Sequence, residues 1–582
     1  MGTFYLGLSM AGTVSAGTYT GGSLTEIINW LDSWQKAKSE GVILIAEKDT
    51  ISFRKGDKIS FLKDEIPNHK VKIKALSGAS GGGVSAALLL TGISTGNVEE
   101  LLREVWTTID VRDMLNNDDL DADKNIYSLL NVKPIDEAMQ KLLNQKWSDN
   151  DYAKSLDYLD DNIETFLTLA SYEGIPYKVT PFKGNGVTYG IHKTHLDYIK
   201  FNFSKNGLEA PIKNNLPYAY NLVFNKNHYF KDDVNWNQLF QSAPATAAFP
   251  VGFKPRSLKR YLKEYNGKLF YMDYTNPSDS FKYSSLEPAW PDANLIQEPF
   301  NMEYLDGGTF NREPHDLVRA SLIESLGLPN YCIPYDGIST NASVILIDPF
   351  PAQSTVENGP GQTVNGTPSL LKQGGFILGA MIDQGRFRPD WIEKALNDKY
   401  YSRYLISPIR RDNSGTIQNL SLAAGLLGAF SGFIDKSFRE HDYKLGLYNT
   451  FQFLKANFTI PINNSEIDYY RNASDKLKEK YEAVGWYDST SKECQIIPRM
   501  LEPNQNNSLS QPIWPTISED KWNEVYNLAL ERGKALEDAA TNFKSLNDVK
   551  DFAIWNMFLK NKVENSLNEI KQILIDNKLL IK

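Results

Sequence analysis

VKIKALSGASGGGVSAALLL, residues 71–90, joins a strand-like segment to an apolar helical segment through a turn of small residues. The strand-like part is Val71 to Leu76, and the helical part begins at Val84. Between them, Gly78-Ala79-Ser80-Gly81-Gly82 satisfies the pattern G-x-S-x-G, in which a serine nucleophile occupies a sharp strand-to-helix turn. We therefore predict an α/β unit with Ser80 at its turn.

The glycines around Ser80 suit such a turn. The turn holds its serine in a strained conformation, and the neighbouring backbone segments approach too closely for Cβ atoms. The helix that follows points its positive N-terminal end at any anion formed at Ser80. The structural alternative is a glycine-rich turn that only caps the helix beginning near Gly82, with Ser77 or Ser80 as the N-cap residue.

A second strand–turn–helix unit opens the chain. We predict a strand over Phe4 to Ser9 and a glycine-rich turn over Ala11 to Gly22. Apolar residues at helical spacing follow and predict a helix. Backbone N–H groups of the segment Ala11-Gly12-Thr13-Val14-Ser15-Ala16-Gly17 are candidates for an oxyanion hole beside Ser80. Such turns also bind phosphates or simply close tight corners, but the spacing differs from G-x-G-x-x-G, which argues against dinucleotide binding.

A candidate base lies far along the chain, in Tyr304-Leu305-Asp306-Gly307-Gly308. This segment follows the end of a predicted strand and places the Asp306 carboxylate in a loop with two glycines. A carboxylate within hydrogen-bonding reach of Ser80 can accept its proton directly, as histidine does in the commoner triads. Taken alone, Asp-Gly-Gly is more often a turn than a base.

Four ordered blocks of the sequence resemble the patatin-like phospholipase family. They span roughly Thr3 to Ile347 and are the glycine-rich first turn, Gly-Ala-Ser-Gly-Gly at 78–82, Ala-Thr-Ala-Ala-Phe-Pro at 245–250, and Asp-Gly-Gly at 306–308. The third block looks like the family's small-residue helix end that leads into Phe-Pro. The resemblance implies an α/β fold, a modified α/β hydrolase whose three-layer core holds a mostly parallel central sheet between helices.

The same resemblance implies the roles of individual residues. Ser80 would be the nucleophile of a Ser-Asp dyad and Asp306 its base, with no histidine required. The backbone amides of Gly12, Thr13 and Val14 would form the oxyanion hole. Glycines of the elbow and of the base loop would support these residues, namely Gly78, Gly81, Gly82, Gly307 and Gly308. Members of this family cleave fatty acyl esters of phospholipids, lysophospholipids or neutral lipids without calcium, so we expect no metal and no cofactor.

The first turn departs from the family pattern. That pattern usually reads Asp-Gly-Gly-Gly-x-Arg-Gly, whereas the aligned residues here run from Ala11 to Gly17 and contain neither the acid nor the arginine. Thr13 and Val14 still offer backbone N–H groups. They do not adopt a positive φ cheaply, however, so the shape of the oxyanion hole is the part of the resemblance that the sequence supports least.

At 582 residues the chain is long enough for more than one core. We predict an acyl hydrolase domain over residues 1–350 and a loop or linker over 351–370, where Gly, Pro, Asn and Thr are frequent. Residues 371–582 are predicted to form a mainly helical region that packs on the core. Its predicted amphipathic segments lie near Trp391–Leu405, Leu420–Phe458, Glu466–Val484, Glu519–Ala539 and Leu546–Leu580.

The composition narrows the class of protein. Hydrophobic residues make up 41% and charged residues 23%, as in soluble globular proteins, and the net charge of −9 argues against a general nucleic-acid binder. Two cysteines, Cys332 and Cys494, provide no disulfide framework and no multi-cysteine metal site. With a start that lacks a signal-peptide pattern and no long apolar run, we expect a cytoplasmic protein, with peripheral membrane contact as an option.

The histidines and an acidic segment are candidates for catalytic and metal-binding roles. Six histidines are present, and His315 is the candidate for a Ser-Asp-His triad by chain order. Asp119, Asp121 and Asp123 resemble the start of a calcium loop, but the glycine and glutamate that such a loop needs are missing, which favours an acidic surface loop.

Three further segments have a distinctive composition. A basic cluster lies just after Phe249 and Phe253, and it fits either anionic headgroups or, more simply, a solvated helix face; it comprises Lys254, Arg256, Lys259, Arg260 and Lys263. The apolar run Leu420 to Ile434 fits burial in the helical region better than the wall of a substrate tunnel. The polar sequence from Arg439 to Asp442 is expected either to tie helices together or to line a surface.

The sequence therefore favours a serine acyl hydrolase whose substrate is a lipid or another acyl ester. A lipid-binding or regulatory module that keeps the fold but turns over slowly remains the second hypothesis, because the oxyanion turn is altered. A serine peptidase or a thioesterase is the third.

Overall fold

The computed structural model describes most of the chain. The described residues are 2–44, 58–60, 66–120, 126–147, 152–179, 190–206, 218–223, 229–273, 282–285, 287–290, 296–328, 332–350, 400–467, 481–484, 492–500, 510–541 and 549–581. The predicted linker at 351–370 lies outside them.

A nine-stranded mixed sheet, mostly parallel in its centre, organises the fold. Its strands are β1 Thr3–Met10, β2 Lys70–Gly78, β3 Leu159–Val179, β4 Gly190–Ser204, β5 Tyr220–Leu222, β6 Arg256–Arg260, β7 Phe300–Asp306, β8 Ala342–Ile347 and β9 Arg403–Ile406. Their spatial order is β9-β8-β1-β2-β3-β7-β6, and β4 pairs with β3 and β5. The five strands from β9 to β3 run parallel, whereas β7 pairs with β3 and β6 in antiparallel fashion.

Helices flank this sheet. The longer ones are α1 Gly17–Glu40, α2 Gly81–Thr95, α3 Val98–Thr108, α4 Lys133–Leu143, α5 Val234–Thr246, α6 His315–Leu326, α7 Lys436–Ala456, α8 Glu519–Thr541 and α9 Val549–Asp576. Short helical segments occupy Val14–Ala16, Val111–Met114, Tyr152–Ser155, Phe230–Asp232, Leu262–Glu264, Gly307–Thr309, Ala423–Gly425, Leu427–Ala429 and Ser431–Phe433. Short strands outside the sheet are Val42–Leu44, Lys58–Ser60, Leu269–Asp273, Lys282–Ser285, Thr459–Pro461, Glu482–Val484, Lys492–Gln495, Ile517–Ser518 and Leu580–Ile581.

Side chains of β1 alternate between the two faces of the sheet, and helices pack on both faces, so the fold has three layers. Leu6 and Leu8 belong to the main hydrophobic core, which includes residues of α1 and α2. Tyr5 points to the other face and packs in a second cluster with residues of α6. The Val318 side chain of α6 packs so closely on β1 that a Cβ on Gly7 would lie 2.1 Å from its Cγ1. The predicted α/β class, with helices on the faces of a mostly parallel sheet, is confirmed.

The C-terminal region is continuous with this core. Strand β9 pairs with β8 in the central sheet, so the sheet extends beyond residue 371, where the helical region was predicted to begin. The helix predicted near Trp391–Leu405 is wrong in its described part, because Arg403–Ile406 forms this strand. Helix α7 packs on α1 through small residues: a Cβ on Gly446 would lie 2.3 Å from the Tyr19 carbonyl oxygen. The helices predicted near Glu519–Ala539 and Leu546–Leu580 are confirmed as α8 and α9.

Within the described residues, no helix combines the length and the apolar composition that a bilayer crossing demands.

Candidate active site

Sheet topology brings the two candidate catalytic segments together. Ser80 follows the end of β2, and Asp306 is the last residue of β7. Both strands are neighbours of β3, where Gly78 is the partner of Leu167 and Asp306 is the partner of Leu169. Two residues separated by 226 positions in the chain therefore reach the same level of the sheet, on either side of one strand.

Ser80 occupies a strained turn between β2 and α2. Its φ is 52° and its ψ is −128°, a positive-φ conformation that is costly for a residue with a side chain. The Ser80 N–H donates to Thr246 Oγ1 at 3.0 Å, which holds the turn against α5. Although Ser80 is at the N-cap position of α2, its side chain makes no capping hydrogen bond. The alternative of a turn that only caps the helix therefore does not describe this serine.

The glycines of the turn allow backbone segments to meet. A Cβ on Gly78 would lie 2.4 Å from the carbonyl oxygen of Gly82, and a Cβ on Gly82 would lie 2.4 Å from that of Met10. A Cβ on Gly307 would lie 2.1 Å from the carbonyl oxygen of Thr168. Real Cβ atoms do not come this close to backbone oxygens, so these positions require glycine for steric reasons.

The Ser80 hydroxyl donates a hydrogen bond of 2.6 Å to Asp306 Oδ2. The other carboxylate oxygen, Oδ1, accepts the Gly308 N–H at 2.7 Å, and the Asp306 N–H donates to the Ala248 carbonyl at 2.9 Å. Both side chains are buried, at 5% and 3% relative exposure for Ser80 and Asp306. The carboxylate is thus fixed by its own loop with one oxygen left to face the serine.

The environment of Asp306 tunes its acidity. Burial raises the pKa of the Asp306 carboxyl to about 6, while the hydrogen bonds from Ser80 and Gly308 and the Arg312 cation oppose the rise. A carboxylate with a pKa near 6 is a stronger proton acceptor than an exposed aspartate and is still mostly ionised at neutral pH. These are the properties that a base acting on a serine hydroxyl needs.

The turn that was predicted to form an oxyanion hole lies beside Ser80. A Cβ on Gly12 would lie 3.4 Å from Ser80 Cβ, and a Cβ on Gly81 would lie 2.3 Å from Thr13 Oγ1. Val14 has a φ of 49°. This β-branched residue therefore adopts the positive φ that the sequence analysis expected to be costly, and its backbone is strained. The Gly12 N–H donates to the Arg312 carbonyl at 2.9 Å, and this hydrogen bond has to break before that amide can serve an oxyanion.

Arg312 is a residue of the site that the sequence analysis missed. Its Nε donates to the Gly12 carbonyl at 3.0 Å while its own carbonyl accepts from the Gly12 N–H. The family pattern places an arginine inside the first turn, but here Ala16 stands at that position. The cation near this turn comes instead from the loop after Asp306, a position that no motif in the sequence marks.

An apolar cavity of about 50 Å³ adjoins Ser80. Its wall is made by residues from the N-terminal half and by Phe433 from the C-terminal region, and the lining includes Val84, Val105, Trp106, Ile109, Met114, Phe249 and Phe253. Phe430 packs against Phe249 with ring centroids 5.5 Å apart. Most of the apolar run Leu420–Ile434 is buried or partly buried, as its favoured explanation predicts, and Phe433 from this run also lines the cavity.

Among the described residues, the hydrogen bonds recorded for the Ser80 and Asp306 side chains include none to an imidazole. The His315 ring lies at the start of α6, with Nε2 3.3 Å from Asp316 Oδ1. This arrangement gives no support to a triad that contains His315.

The basic cluster divides into residues with different surroundings. The segment Arg256–Arg260 is a strand rather than the predicted helix face, so alternate side chains point to opposite sides. Arg260 is fully buried and bonds to Glu264 at 2.8 Å and to Tyr304 at 2.7 Å. Lys259 is exposed, and Arg256 is half-buried beside a cavity. The prediction of one solvated face is therefore wrong, because the residues follow a period of two.

The polar sequence from Arg439 to Asp442 ties segments together, as predicted. Arg439 donates to the Gly432 carbonyl at 2.7 Å and to Asp110 at 2.9 Å. The buried Asp442 accepts the N–H groups of Ala423 and Ala424 at 2.9 and 2.8 Å. These residues hold the segment that carries Phe433.

Among the residues that the structure describes, no group of three or more His, Cys, Asp or Glu side chains could hold a metal ion. Asp119, from the acidic loop, pairs with Arg532, with Oδ2 2.9 Å from Nη2. Asp121 and Asp123 lie outside the described residues.

No family model matches the chain. The chain is 27% identical over 516 residues to an uncharacterized protein, y4iI, of Sinorhizobium fredii, a match that covers 81% of this chain and 67% of that protein. Among solved structures, VipD from Legionella pneumophila aligns with 97% of this chain and 88% of its own length, with a TM-score of 0.25 and 10% identity. The functional argument therefore depends on the geometry of the site.

Proposed function

We propose that the protein is a serine acyl hydrolase in which Ser80 is the nucleophile and Asp306 its base. The observation that carries this proposal is the 2.6 Å hydrogen bond from Ser80 Oγ to Asp306 Oδ2 at a strained strand-to-helix turn. Strain of this kind persists only where the surrounding structure holds it in place, and it is concentrated at functional sites.

The reaction proceeds in two stages. Asp306 Oδ2 accepts the Ser80 hydroxyl proton as Oγ bonds to the ester carbonyl carbon, and the carbonyl electron pair moves onto its oxygen. Collapse of this intermediate breaks the bond to the alcohol, which leaves with the proton held by Asp306, and an acyl-enzyme remains. Water then enters, and its oxygen bonds to the acyl carbon as Asp306 accepts one of its protons. Collapse of this second intermediate breaks the bond to Oγ, which takes the proton back from Asp306, so the fatty acid and the free serine are released.

The developing oxyanion requires donors next to Ser80. The proposal assigns the amides of Thr13 and Val14 to this role, with Gly12 as a further donor if its bond to Arg312 opens. The N-terminus of α2 begins at Gly81 and points its positive end at the same place. Each donor of this kind is worth roughly 10²- to 10³-fold in rate.

The proposed substrates are fatty acyl esters of phospholipids, lysophospholipids or other lipids. The apolar lining of the cavity beside Ser80 is suited to an acyl chain rather than to a polar peptide. Because such substrates reside in membranes, the proposal includes a peripheral contact with a lipid surface. It invokes no metal and no cofactor.

The experiment is turnover of p-nitrophenyl esters together with labelling by a fluorophosphonate probe. We expect Ser80→Ala to abolish both and Asp306→Asn to abolish turnover. Ser94→Ala is the matched control, because Ser94 is a buried helix serine that donates to the Leu90 carbonyl away from the site. Full activity in either dyad variant would reject the proposal.

The second candidate is a lipid-binding module with slow catalytic turnover, and two observations favour it. The Gly12 amide is already hydrogen-bonded, and Val14 is strained. If that module is the function, the probe leaves Ser80 unlabelled while lipid still binds. A serine peptidase or thioesterase stays the third candidate, and parallel kinetics on peptide, thioester and glycerolipid substrates distinguish it.

A further inference from the structure

A second, larger cavity lies next to the one that adjoins Ser80. It encloses about 970 Å³ and opens to solvent between two helices. Helix α4 lines it with Asp136, Met139, Gln140 and Leu143, and α5 lines it with Asn237, Phe240, Gln241 and Pro244. Each set has the spacing i, i+3, i+4 and i+7, so each helix presents one continuous face to this outer cavity.

Three residues separate the outer cavity from the inner one. Met139, Pro244 and Arg256 line both of them. Two of the three are apolar, and the third is a cation. The outer cavity therefore adjoins the Ser80 cavity across a thin wall in which Arg256 is the one charged side chain.

Arg256 is held close to the candidate dyad by its strand. Its register partner is Tyr304, two residues before Asp306 on the neighbouring strand. Strands lie about 4.8 Å apart and rise about 3.3 Å per residue, so the Arg256 and Asp306 backbones are separated by about 8 Å. A glycerol backbone with its ester and phosphate covers a span of this order.

The bonding of Arg256 is incomplete. Its Nη1 donates to Asp136 Oδ1 at 2.6 Å, with side-chain exposures of 15% for Arg256 and 41% for Asp136. Its Nε is buried and has no hydrogen-bond partner among the described residues. A guanidinium has five N–H donors in a planar fork that matches phosphate and carboxylate oxygens, and a buried donor without a partner is costly. A bound anion would satisfy it.

The charge of the outer cavity also favours an anion. Lys231 and Lys254 line it together with Arg256, whereas its carboxylates are Asp136 and Glu303. Asp136 is already paired with Arg256, and it is the more exposed partner. Displacement of Asp136 by an incoming anionic group would leave the buried cation paired and return the carboxylate to water.

We propose that this outer cavity binds the anionic headgroup of the substrate and that Arg256 contacts that group, so the preferred substrates are acyl esters that carry a phosphate near the ester. This inference rests on the function proposed for Ser80 and Asp306. Arg256 is the residue that selects the headgroup, while the inner cavity accepts the part of the acyl chain next to the ester.

The test compares two substrates that share one acyl chain. 1-Palmitoyl lysophosphatidylglycerol carries the anionic group and 1-palmitoylglycerol lacks it, and both are presented in the same detergent micelles. For Arg256→Gln, the ratio of kcat/KM for the anionic over the neutral substrate is expected to fall roughly tenfold, as for loss of a charge-assisted hydrogen bond. Asp136→Asn is expected to raise this ratio, because it frees the guanidinium.

Lys259→Gln is the matched control, since it removes one positive charge from the same strand at an exposed position outside both cavities. A ratio that stays within twofold of wild type in Arg256→Gln, or that falls as far in Lys259→Gln, would overturn the inference. Fluorophosphonate labelling distinguishes failure of this inference from failure of the proposed function. If Ser80 is labelled and the ratio is unchanged, only headgroup selection by Arg256 is rejected. If Ser80 is not labelled, the proposed hydrolase activity is rejected as well.

Discussion

Gly12 and Arg312 exchange two hydrogen bonds across 300 residues of chain: the Gly12 N–H donates to the Arg312 carbonyl at 2.9 Å, and Arg312 Nε donates to the Gly12 carbonyl at 3.0 Å. The pair fastens the turn beside Ser80 to the loop that follows Asp306. Because the Arg312 cation also lowers the pKa of Asp306, one residue links the position of the turn to the acidity of the Asp306 carboxyl.

Replacement of Arg312 by glutamine is therefore expected to raise the pKa of Asp306 and to lower kcat. Loss of a nearby positive charge disfavours the carboxylate, so the acid limb of the pH profile of kcat/KM shifts to higher pH. Arg312→Lys keeps the charge and should keep the limb near its wild-type position while the turn loses its Nε hydrogen bond. An identical acid limb in Arg312→Gln and wild type would show that Arg312 does not act on the base.

The pH dependence of the wild-type protein follows from the pKa of about 6 at Asp306. The base works only as the carboxylate, so kcat/KM for a neutral ester is expected to rise with pH through about 6 and then level off. An ordinary aspartate would place the rise near 4. A profile without an inflection between pH 5 and 7 would contradict the assignment of Asp306 as the base.

The same pKa predicts that Asp306→Asn stabilises the fold. Because burial raises the folded-state pKa above the unfolded one, the favourable contribution of Asp306 is full below about pH 4 and is lost as the pH rises through about 6. At pH 8 the variant should be more stable than wild type by about 2–3 kcal/mol, and this advantage should disappear near pH 4. Urea unfolding at both pH values measures the difference, and equal differences at both would exclude this cause.

The turns that carry Ser80 and Asp306 could be predicted from the sequence because their determinants are local. The glycines at 78, 82 and 307 report close backbone contacts that the structure confirms, and such contacts leave a mark in the sequence wherever they occur. The meeting of Ser80 with Asp306 depended on the family resemblance, since no spacing in the chain shows that β2 and β7 both flank β3.

Other features left no such mark. One of the two Arg312–Gly12 hydrogen bonds joins backbone atoms, which any residue type can do, and no motif marks the position of the Arg312 side chain that makes the other. Arg260 was grouped with surface cations because helical and strand periods are hard to distinguish over five residues, whereas its burial follows from the strand period. Strand β9 was read as helix for the same reason, and its partner β8 lies on the other side of the predicted linker.

The turn glycines give a prediction about stability. Gly82→Ala is expected to destabilise the fold by about 3 kcal/mol or more, because its Cβ would lie 2.4 Å from the Met10 carbonyl oxygen and the backbone cannot move away cheaply. Gly533→Ala in α8 is the matched control, since its Cβ would meet Val563 at an ordinary 3.6 Å, and it should stabilise by about 0.4–1 kcal/mol. Thermal unfolding of both variants is the measurement, and equal shifts would contradict the steric argument.

Phe433 gives a prediction about acyl-chain selectivity. Its ring closes the wall of a cavity of only about 50 Å³, so truncation to alanine should add space next to Ser80. We expect Phe433→Ala to raise the ratio of kcat/KM for long over short p-nitrophenyl esters by about tenfold, because each additional buried CH₂ contributes about 0.8 kcal/mol. Phe438→Ala removes an equally buried ring that does not line this cavity, and it should leave the ratio unchanged. Equal ratios in the two variants would mean that the C-terminal region does not shape the acyl site, and Phe433 would then serve only to pack the segment that carries it.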